Sequence, residues 1–210
     1  KENRPHQNGP ANGVGVRHNG QMLDLNRDAM KLETPEVKAL VNILNIWDPA
    51  LLVDLHTTNG SYHKESPAFT WMMNANTDTN LIKFMRDNMM PWVNTNLTDK
   101  YNTLNCFYGE FIDMLNYDKG WESYAHEPRY IVNYIGLRNR LAILNENYVY
   151  ADFKTRIMGC YNLLKSILDY VSANKDDIKN LLTETDAKLI TRGINPAEKD
   201  SFAVESINTA

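Results

Sequence analysis

The spacing of apolar and polar positions predicts short strands that alternate with amphipathic helices. Residues 34–36 (Thr-Pro-Glu) form a helix start, because threonine caps the helix, proline suits its first turn and glutamate favours the positive end of its dipole. Apolar residues then recur at helical spacing until Asp48, and the apolar run over residues 50–55 has the composition of a central strand. Another apolar run, over residues 22–25, precedes this helix. We therefore expect a strand, a helix and a second, parallel strand in succession.

The rest of the chain continues the same alternation. Apolar runs predict strands over residues 68–73, 106–112 and 140–144. A helix begins near residue 78, and we expect Pro91 to kink or end it, because proline lacks the backbone donor. Two more helices follow, one from residue 151 onwards and one over residues 176–190 that Gly193 closes. The apolar positions of the first of these predict its buried face: Phe153, Ile157, Tyr161, Leu164, Leu168 and Val171.

This order of elements predicts an α/β fold with a mixed, mostly parallel sheet flanked by helices. A length of 210 residues suits one well-buried domain. We expect residues 1–192 to be the C-terminal part of a single domain, and residues 193–210 to be a polar tail or the start of a following region. The chain opens at Lys1 within a segment rich in turn-forming residues, so we also expect it to be a piece of a longer protein.

Composition narrows the range of partners. The formal net charge of -4 provides no basic surface, so we expect no nucleic-acid partner. No apolar run approaches the roughly 20 residues that a membrane-spanning helix needs, so we expect no membrane span. The two cysteines, Cys106 and Cys160, have neither a metal-type spacing nor the pattern of a disulfide framework, and we interpret both as small buried residues.

Polar side chains that can do chemistry follow three of the predicted strands. Asn26 and Arg27 follow the first run, His56 follows the second, and Glu146 follows the strand predicted over residues 140–144. In an open α/β sheet, such positions converge on a ligand. A guanidinium grips a carboxylate through two parallel hydrogen bonds, an imidazole binds a metal, and a carboxylate can act as a base. Together they predict metal-assisted hydrolysis of an acyl compound that carries its own carboxylate.

A resemblance to a known family rests on five short segments, which occur in the family's order. They are residues 3–5 (Asn-Arg-Pro), 23–28 (Leu-Asp-Leu-Asn-Arg-Asp), 35–36 (Pro-Glu), 54–57 (Asp-Leu-His-Thr) and 144–146 (Leu-Asn-Glu). With these segments the chain resembles the zinc carboxypeptidases, relatives of carboxypeptidase A, over roughly residues 1–170. The resemblance implies a zinc carboxypeptidase-like catalytic domain that is incomplete at its N-terminus. It also implies removal of a C-terminal residue from a peptide.

The resemblance assigns a role to each candidate residue. It implies that His56 is the last of three zinc ligands and that Asn26 and Arg27 bind the terminal carboxylate of the substrate. It implies that Glu146 is the general base, which takes a proton from zinc-bound water and hands it to the leaving amine. Zinc lowers the pKa of its bound water to about 7, which explains why such a site needs the metal.

Two further residues match the family more loosely, and two zinc ligands are missing. Arg4 corresponds to an arginine that stabilises the tetrahedral oxyanion, and Tyr124 to a mobile tyrosine that covers bound substrate. The family's other two zinc ligands come from a His-x-x-Glu motif upstream of the Asn-Arg pair, and no such motif occurs in this sequence. One imidazole holds zinc far too weakly. We therefore expect the other ligands upstream of this chain, and we expect the chain to be inactive by itself.

Three functions stay open at this point. The first is the metallocarboxypeptidase, acting on peptides. The second is a zinc-dependent N-acyl amino acid deacylase, since the same motifs resemble aspartoacylase and succinylglutamate desuccinylase. The third is a non-catalytic relative that only binds carboxylates, which the retained Glu146 disfavours. The compartment is open as well: two thiols permit the cytoplasm, whereas degradative peptidases of this kind favour the periplasm or the exterior.

Overall fold

The computed structural model describes residues 17–58, 62–123 and 126–204, and it has the predicted α/β fold. Its principal sheet has four strands in the order β1-β6-β2-β3, with helices packed around it. The strands are β1 (Leu51–Thr57), β2 (Pro67–Trp71), β3 (Cys106–Phe107), β4 (Glu110–Phe111), β5 (Trp121–Glu122) and β6 (Leu141–Asn147). The helices are α1 (Pro35–Trp47), α2 (Thr79–Lys83), α3 (Met90–Asp99), α4 (Ile131–Leu137), α5 (Phe153–Ala173) and α6 (Lys175–Ile194).

The sheet is mixed and mostly parallel, as the sequence predicts. Strand β1 runs parallel to β6 along its whole length, from the pair Leu51 and Leu141 to the pair Thr57 and Asn147. Strand β2 is antiparallel to β6 on the other side and parallel to β3. Strands β4 and β5 form a separate two-stranded ribbon. Because β6 lies between β1 and β2, its side chains are placed at the centre of the fold.

The core lies between the sheet and the helices and is rich in methionine. Met72, Met85, Met89 and Met90 are fully buried among leucine, valine and isoleucine side chains. Methionine fills irregular gaps well, because its unbranched side chain has three rotatable bonds. Among the residues that the structure describes, none of the helices combines the length and the apolarity that a bilayer crossing requires.

The strand predicted over residues 22–25 is wrong. This segment is a turn that leads into a short 3-10 helix, Leu25–Arg27. The carboxylate of Asp24 caps the 3-10 helix by accepting a hydrogen bond from the backbone N–H of Asn26. Such local side-chain bonds compete with strand pairing. The expected strand–helix–strand unit therefore does not form, and β1 finds its parallel partner in β6.

Pro91 does not end its helix, and Gly193 does not close α6. The helix that begins with α2 continues through a π-helical turn, Phe84–Met89, into α3, and Pro91 lies in the first turn of α3. At that position the missing proline N–H costs no helical hydrogen bond. The wider π turn before it accommodates the shift in the backbone hydrogen bonds. Helix α6 passes Gly193 and ends at Ile194. The strand expected over residues 106–112 is interrupted and forms the short strands β3 and β4.

Helix α5 is present, but it buries a different face from the one predicted. Four of the expected core side chains are largely exposed: Phe153 (72%), Ile157 (49%), Tyr161 (53%) and Leu168 (64%). The buried positions are Gly159, Leu163, Ser166, Ile167 and Tyr170. Small residues allow close approach on this side, since the Ser166 hydroxyl donates to the carbonyl of Val93 and a Cβ on Gly159 would crowd Asn147. The buried face thus combines two small residues, which allow close approach, with the large side chains of Leu163, Ile167 and Tyr170.

An arginine joins the start of β6 to two helices. The guanidinium of Arg140 donates to Asp48 at the end of α1, at 2.7 and 2.8 Å, and to Asp186 of α6, at 2.9 Å. Its side chain is only 17% exposed. Asp48 has a positive φ of 43°, which ends α1 in a left-handed conformation. This bridge therefore fixes where β1 and β6 begin relative to the helices.

Candidate active site

One pocket collects the predicted residues that the structure describes. It has a volume of about 360 Å³ and lies at the C-terminal ends of β1 and β6. Asn26, Arg27, His56 and Glu146 all line it. Arg4 and Tyr124 lie outside the described residues. The structure therefore brings these four residues to one pocket, His56 and Glu146 from strand ends and Asn26 and Arg27 from the 3-10 helix.

The pairing of β1 with β6 sets the centre of the pocket. His56 and Glu146 are Cα partners in the parallel register. Side chains alternate along a strand, so Asp54 shares the face of His56 and Leu144 shares the face of Glu146. All four line the pocket. Glu146 lies inside β6, one residue before its end, rather than after the strand as predicted.

The imidazole of His56 is held by a neighbouring carboxylate. Its Nε2 lies 2.8 Å from Oδ2 of Asp54. Burial lowers the pKa of His56, but the hydrogen bond and charge of Asp54, together with the charge of Glu146, outweigh it and leave the pKa raised. This bond orients the ring and directs Nδ1 away from Asp54, which is the arrangement seen where a carboxylate supports a metal-binding histidine.

The carboxyl group of Glu146 is buried and incompletely bonded. Its Oε2 is inaccessible to solvent and has no hydrogen-bond partner within the described part of the chain. Burial raises the pKa of Glu146 to about 7, helped by the charges of Asp54 and Glu110 and opposed by those of His56 and Arg17. A carboxyl group that titrates near neutral pH can both accept and release a proton there.

Asn26 and Arg27 reach the pocket from the 3-10 helix. The guanidinium of Arg27 donates to the carbonyl of Asn26 at 2.8 Å and lies over the ring of Tyr130, 4.5 Å from its centroid. No carboxylate of the described residues forms an ion pair with Arg27. A permanently charged guanidinium in a pocket, held by a carbonyl and an aromatic ring, keeps donors available for an anion.

The next residue, Asp28, fixes this turn. It is buried and accepts hydrogen bonds from the backbone N–H groups of Glu33 and Thr34, both at 2.8 Å, and from the hydroxyl of Thr34 at 2.6 Å. Burial raises the pKa of Asp28, but these bonds outweigh it and hold the pKa below its ordinary value. Thr34 in turn caps α1. The position of Arg27 therefore depends on the start of α1.

Two pocket residues escape prediction from the sequence. Arg17 lines the pocket, and its Nε lies 2.6 Å from Oδ2 of Asp24. Burial raises the pKa of Asp24, but the bond to Arg17 outweighs it, so the pKa is lowered. Tyr130 supports Arg27 from the start of α4. Arg17 lies in a loop without apolar periodicity, and Tyr130 is the residue that precedes α4. No local sequence pattern therefore marks either residue.

The described residues do not form a complete zinc site in this pocket. A catalytic zinc needs three protein ligands. His56 supplies one donor, and in the described ranges no group of three ligand-type side chains in this pocket lies close enough to hold an ion.

Comparison with protein-family models, with curated proteins and with solved structures found no match to this chain.

Proposed function

We propose that this pocket belongs to a hydrolase that cleaves an amide bond next to a free carboxylate, as a metallocarboxypeptidase does. One observation carries the proposal: Arg27, which pairs with no described carboxylate, lines the same small pocket as the buried carboxyl group of Glu146. Such a reaction uses both a cation that can hold the substrate and a carboxyl group that can move a proton.

The first step is recognition of the substrate carboxylate. Arg27 offers two parallel N–H groups, and the side-chain amide of Asn26 offers a further donor beside it. The pocket volume of about 360 Å³ suits one or two amino-acid residues better than a long peptide. The terminal part of a peptide would therefore occupy the pocket, with its last amide bond directed towards β1 and β6.

The second step is attack by water. Glu146 takes a proton from the water as the oxygen–carbon bond forms, and then gives it to the amine nitrogen as the carbon–nitrogen bond breaks. Two observations support this role: Glu146 lines the pocket, and burial raises its pKa to about 7. In the family that the chain resembles, zinc polarises the carbonyl and activates the water. His56 would supply one ligand, and since the described residues provide no complete set, zinc dependence stays a prediction.

Binding measurements test the recognition step. Calorimetric titration of acetylated dipeptides should give at least tenfold tighter binding for the free acid than for the C-terminal amide, which corresponds to about 1.4 kcal/mol. The variant Arg27→Gln should lose this difference. Arg129→Gln is the matched control, because Arg129 also lies over the Tyr130 ring, at 5.1 Å, yet does not line the pocket. Equal binding of acid and amide by the wild-type chain would contradict the proposal.

Turnover measurements test the role of Glu146. In a longer protein that supplies the missing zinc ligands, and with zinc present, Glu146→Gln should bind the free acid as tightly as the unmutated protein does but lose its hydrolysis. Acetylated single amino acids, measured beside the dipeptides, separate a deacylase from a peptidase. Hydrolysis that is unchanged in Glu146→Gln would remove the residue from the mechanism.

A further inference from the structure

A second group of ligand-type side chains lies outside the proposed active site. His63 and Glu65 precede β2, and Cys106 is the first residue of β3. Because β2 and β3 are parallel, with Ala68 and Cys106 as Cα partners, the segment before β2 passes the start of β3. One ligand atom from each of His63, Glu65 and Cys106 lies within 4.8 Å of the other two.

The histidine of this group has an unsatisfied nitrogen. The side chain of His63 is only 8% exposed, and its Nδ1 is buried without a hydrogen-bond partner in the described ranges. The nearest carboxylate oxygen, Oε2 of Glu65, lies 4.0 Å away, which is too far for a hydrogen bond. The ring packs against Tyr148, with 4.7 Å between ring centroids, and makes a T-shaped contact with Trp121, with 6.4 Å between ring centroids. Burying a hydrogen-bonding atom without a partner costs folding free energy, and a bound metal ion would give this nitrogen a partner.

The protonation state of His63 suits metal binding, whereas the thiol of Cys106 has to lose its proton to the solvent first. Burial lowers the pKa of His63, against the opposing effects of the backbone and charge of Glu65, so the ring is neutral near pH 7. A neutral imidazole is the form that binds metals. Burial and the charge of Glu65 raise the pKa of Cys106 to about 12, which keeps the thiol protonated until a cation replaces its proton.

We propose that His63, Glu65 and Cys106 bind a divalent transition metal of the zinc type, at a site separate from the His56–Glu146 pocket. The donor set is one nitrogen, one oxygen and one sulfur, which suits a borderline-soft ion and not magnesium or calcium. Three protein ligands leave the fourth tetrahedral position to water. On binding, the sulfur–metal bond replaces the sulfur–hydrogen bond, and the proton goes to solvent.

The geometry requires only a small adjustment. Zinc bonds of roughly 2.0–2.3 Å place tetrahedral ligands about 3.3–3.8 Å apart. The donor atoms already lie within 4.8 Å of one another, so a contraction of about 1 Å completes the site. The Glu65 side chain is 32% exposed and can supply most of this movement. A bound ion would then cross-link the segment before β2 to the edge strand β3.

Cobalt titration tests the site, because cobalt bound to a thiolate absorbs in the near ultraviolet by charge transfer. We expect the chelator-treated chain to bind one cobalt ion with this absorption, and zinc to displace it. Cys106→Ser should abolish the absorption, whereas Cys160→Ser, the matched control at the other cysteine, should keep it. His56→Gln should also keep it, which separates this site from the proposed active site. A chain that binds cobalt without thiolate absorption, or that keeps the absorption in Cys106→Ser, would overturn the proposal.

A second measurement covers the case in which Cys106→Ser fails to fold. Glu65→Gln changes a partly exposed side chain that does not belong to the core, so it should fold. It should weaken cobalt binding at least tenfold while the thiolate absorption persists at saturation. Zinc should also raise the thermal unfolding temperature of the wild type more than that of Glu65→Gln. Unchanged affinity in Glu65→Gln would exclude the carboxylate as a ligand and contradict the site.

Discussion

Replacing Glu146 with glutamine should stabilise the metal-free protein at neutral pH. Burial raises the pKa of Glu146 from its ordinary value of 4.5 to about 7. An acid whose pKa is higher in the folded state stabilises the fold below its unfolded pKa, and this stabilisation is lost as pH rises through the folded pKa. Glutamine has nearly the same shape and cannot ionise. The variant should therefore not lose the free energy of unfolding that the wild type loses when buried Glu146 ionises near neutral pH.

The pKa values give the size of the effect. Between pH 4.5 and about 7, each pH unit lowers the free energy of unfolding by at most about 1.4 kcal/mol for this one group. The upper limit is thus about 3 kcal/mol above pH 7. Although its Oε2 is buried, Glu146 as a whole residue is partly exposed, so we expect about 2 kcal/mol. Near pH 4.5, Glu146→Gln and the wild type should be about equally stable.

Urea unfolding with a chelator present, at several pH values between about 4.5 and 8, measures the difference. Glu122→Gln is the control, because Glu122 is exposed in β5. The pKa of His56 is also raised, so its own stabilising contribution falls as pH rises in both proteins, and a His56→Gln background removes this overlap. A Glu146→Gln variant that is less stable than the wild type at pH 7.5, or a difference that does not change with pH, would refute the reasoning.

Three further substitutions and one control substitution test the supports of the site, each by urea unfolding. Asp28→Ala should cost about 2–4 kcal/mol, because three hydrogen bonds at the start of α1 lose their acceptor, and it should also weaken carboxylate binding in calorimetry. Gly136→Ala should cost about 1–3 kcal/mol, because the new methyl group would lie 2.7 Å from the Cβ of Met72. The control Gly193→Ala, which has open space around it in α6, should be neutral or stabilising by up to about 1 kcal/mol. Arg140→Lys should cost about 1–2 kcal/mol, because an ammonium group cannot bridge both aspartates in the same way.

The pocket could be predicted from sequence because it depends on local patterns. The apolar runs mark β1 and β6, and the side chains near the ends of such strands share one edge of the sheet. His56 and Glu146 follow from this rule alone. Asn26 and Arg27 reach the same pocket although the strand predicted before them is a turn and a 3-10 helix. For these two residues the predicted position in the pocket is right, although the predicted secondary structure is wrong.

The remaining features depend on contacts between distant segments. Cys106 has no metal-type spacing with any nearby residue, because its partners His63 and Glu65 are brought to it by the pairing of β2 with β3. Arg17 reaches the pocket through its bond to Asp24, which is only seven residues away, but no regular sequence pattern marks this contact. The buried face of α5 is a third case, because Gly159 and Ser166 are in contact with residues of other elements, Asn147 and Val93. Rules based on the local spacing of residues do not predict these contacts.

The register on which the site depends is fixed by amides on the opposite face of β6. Asn145 and Asn147 are both buried, and they alternate with Glu146. The side-chain amide of Asn145 donates to the carbonyl of Ala68 in β2, and that of Asn147 donates to Asn145 Oδ1 at 2.8 Å and to the carbonyl of His56 at 3.4 Å. A slip of one residue would turn Glu146 towards α5 and leave these buried amides without partners. Apolar residues at these two positions would bury more apolar surface but would favour no particular register. The two asparagines therefore support the proposed function without entering the pocket, because they hold Glu146 opposite His56.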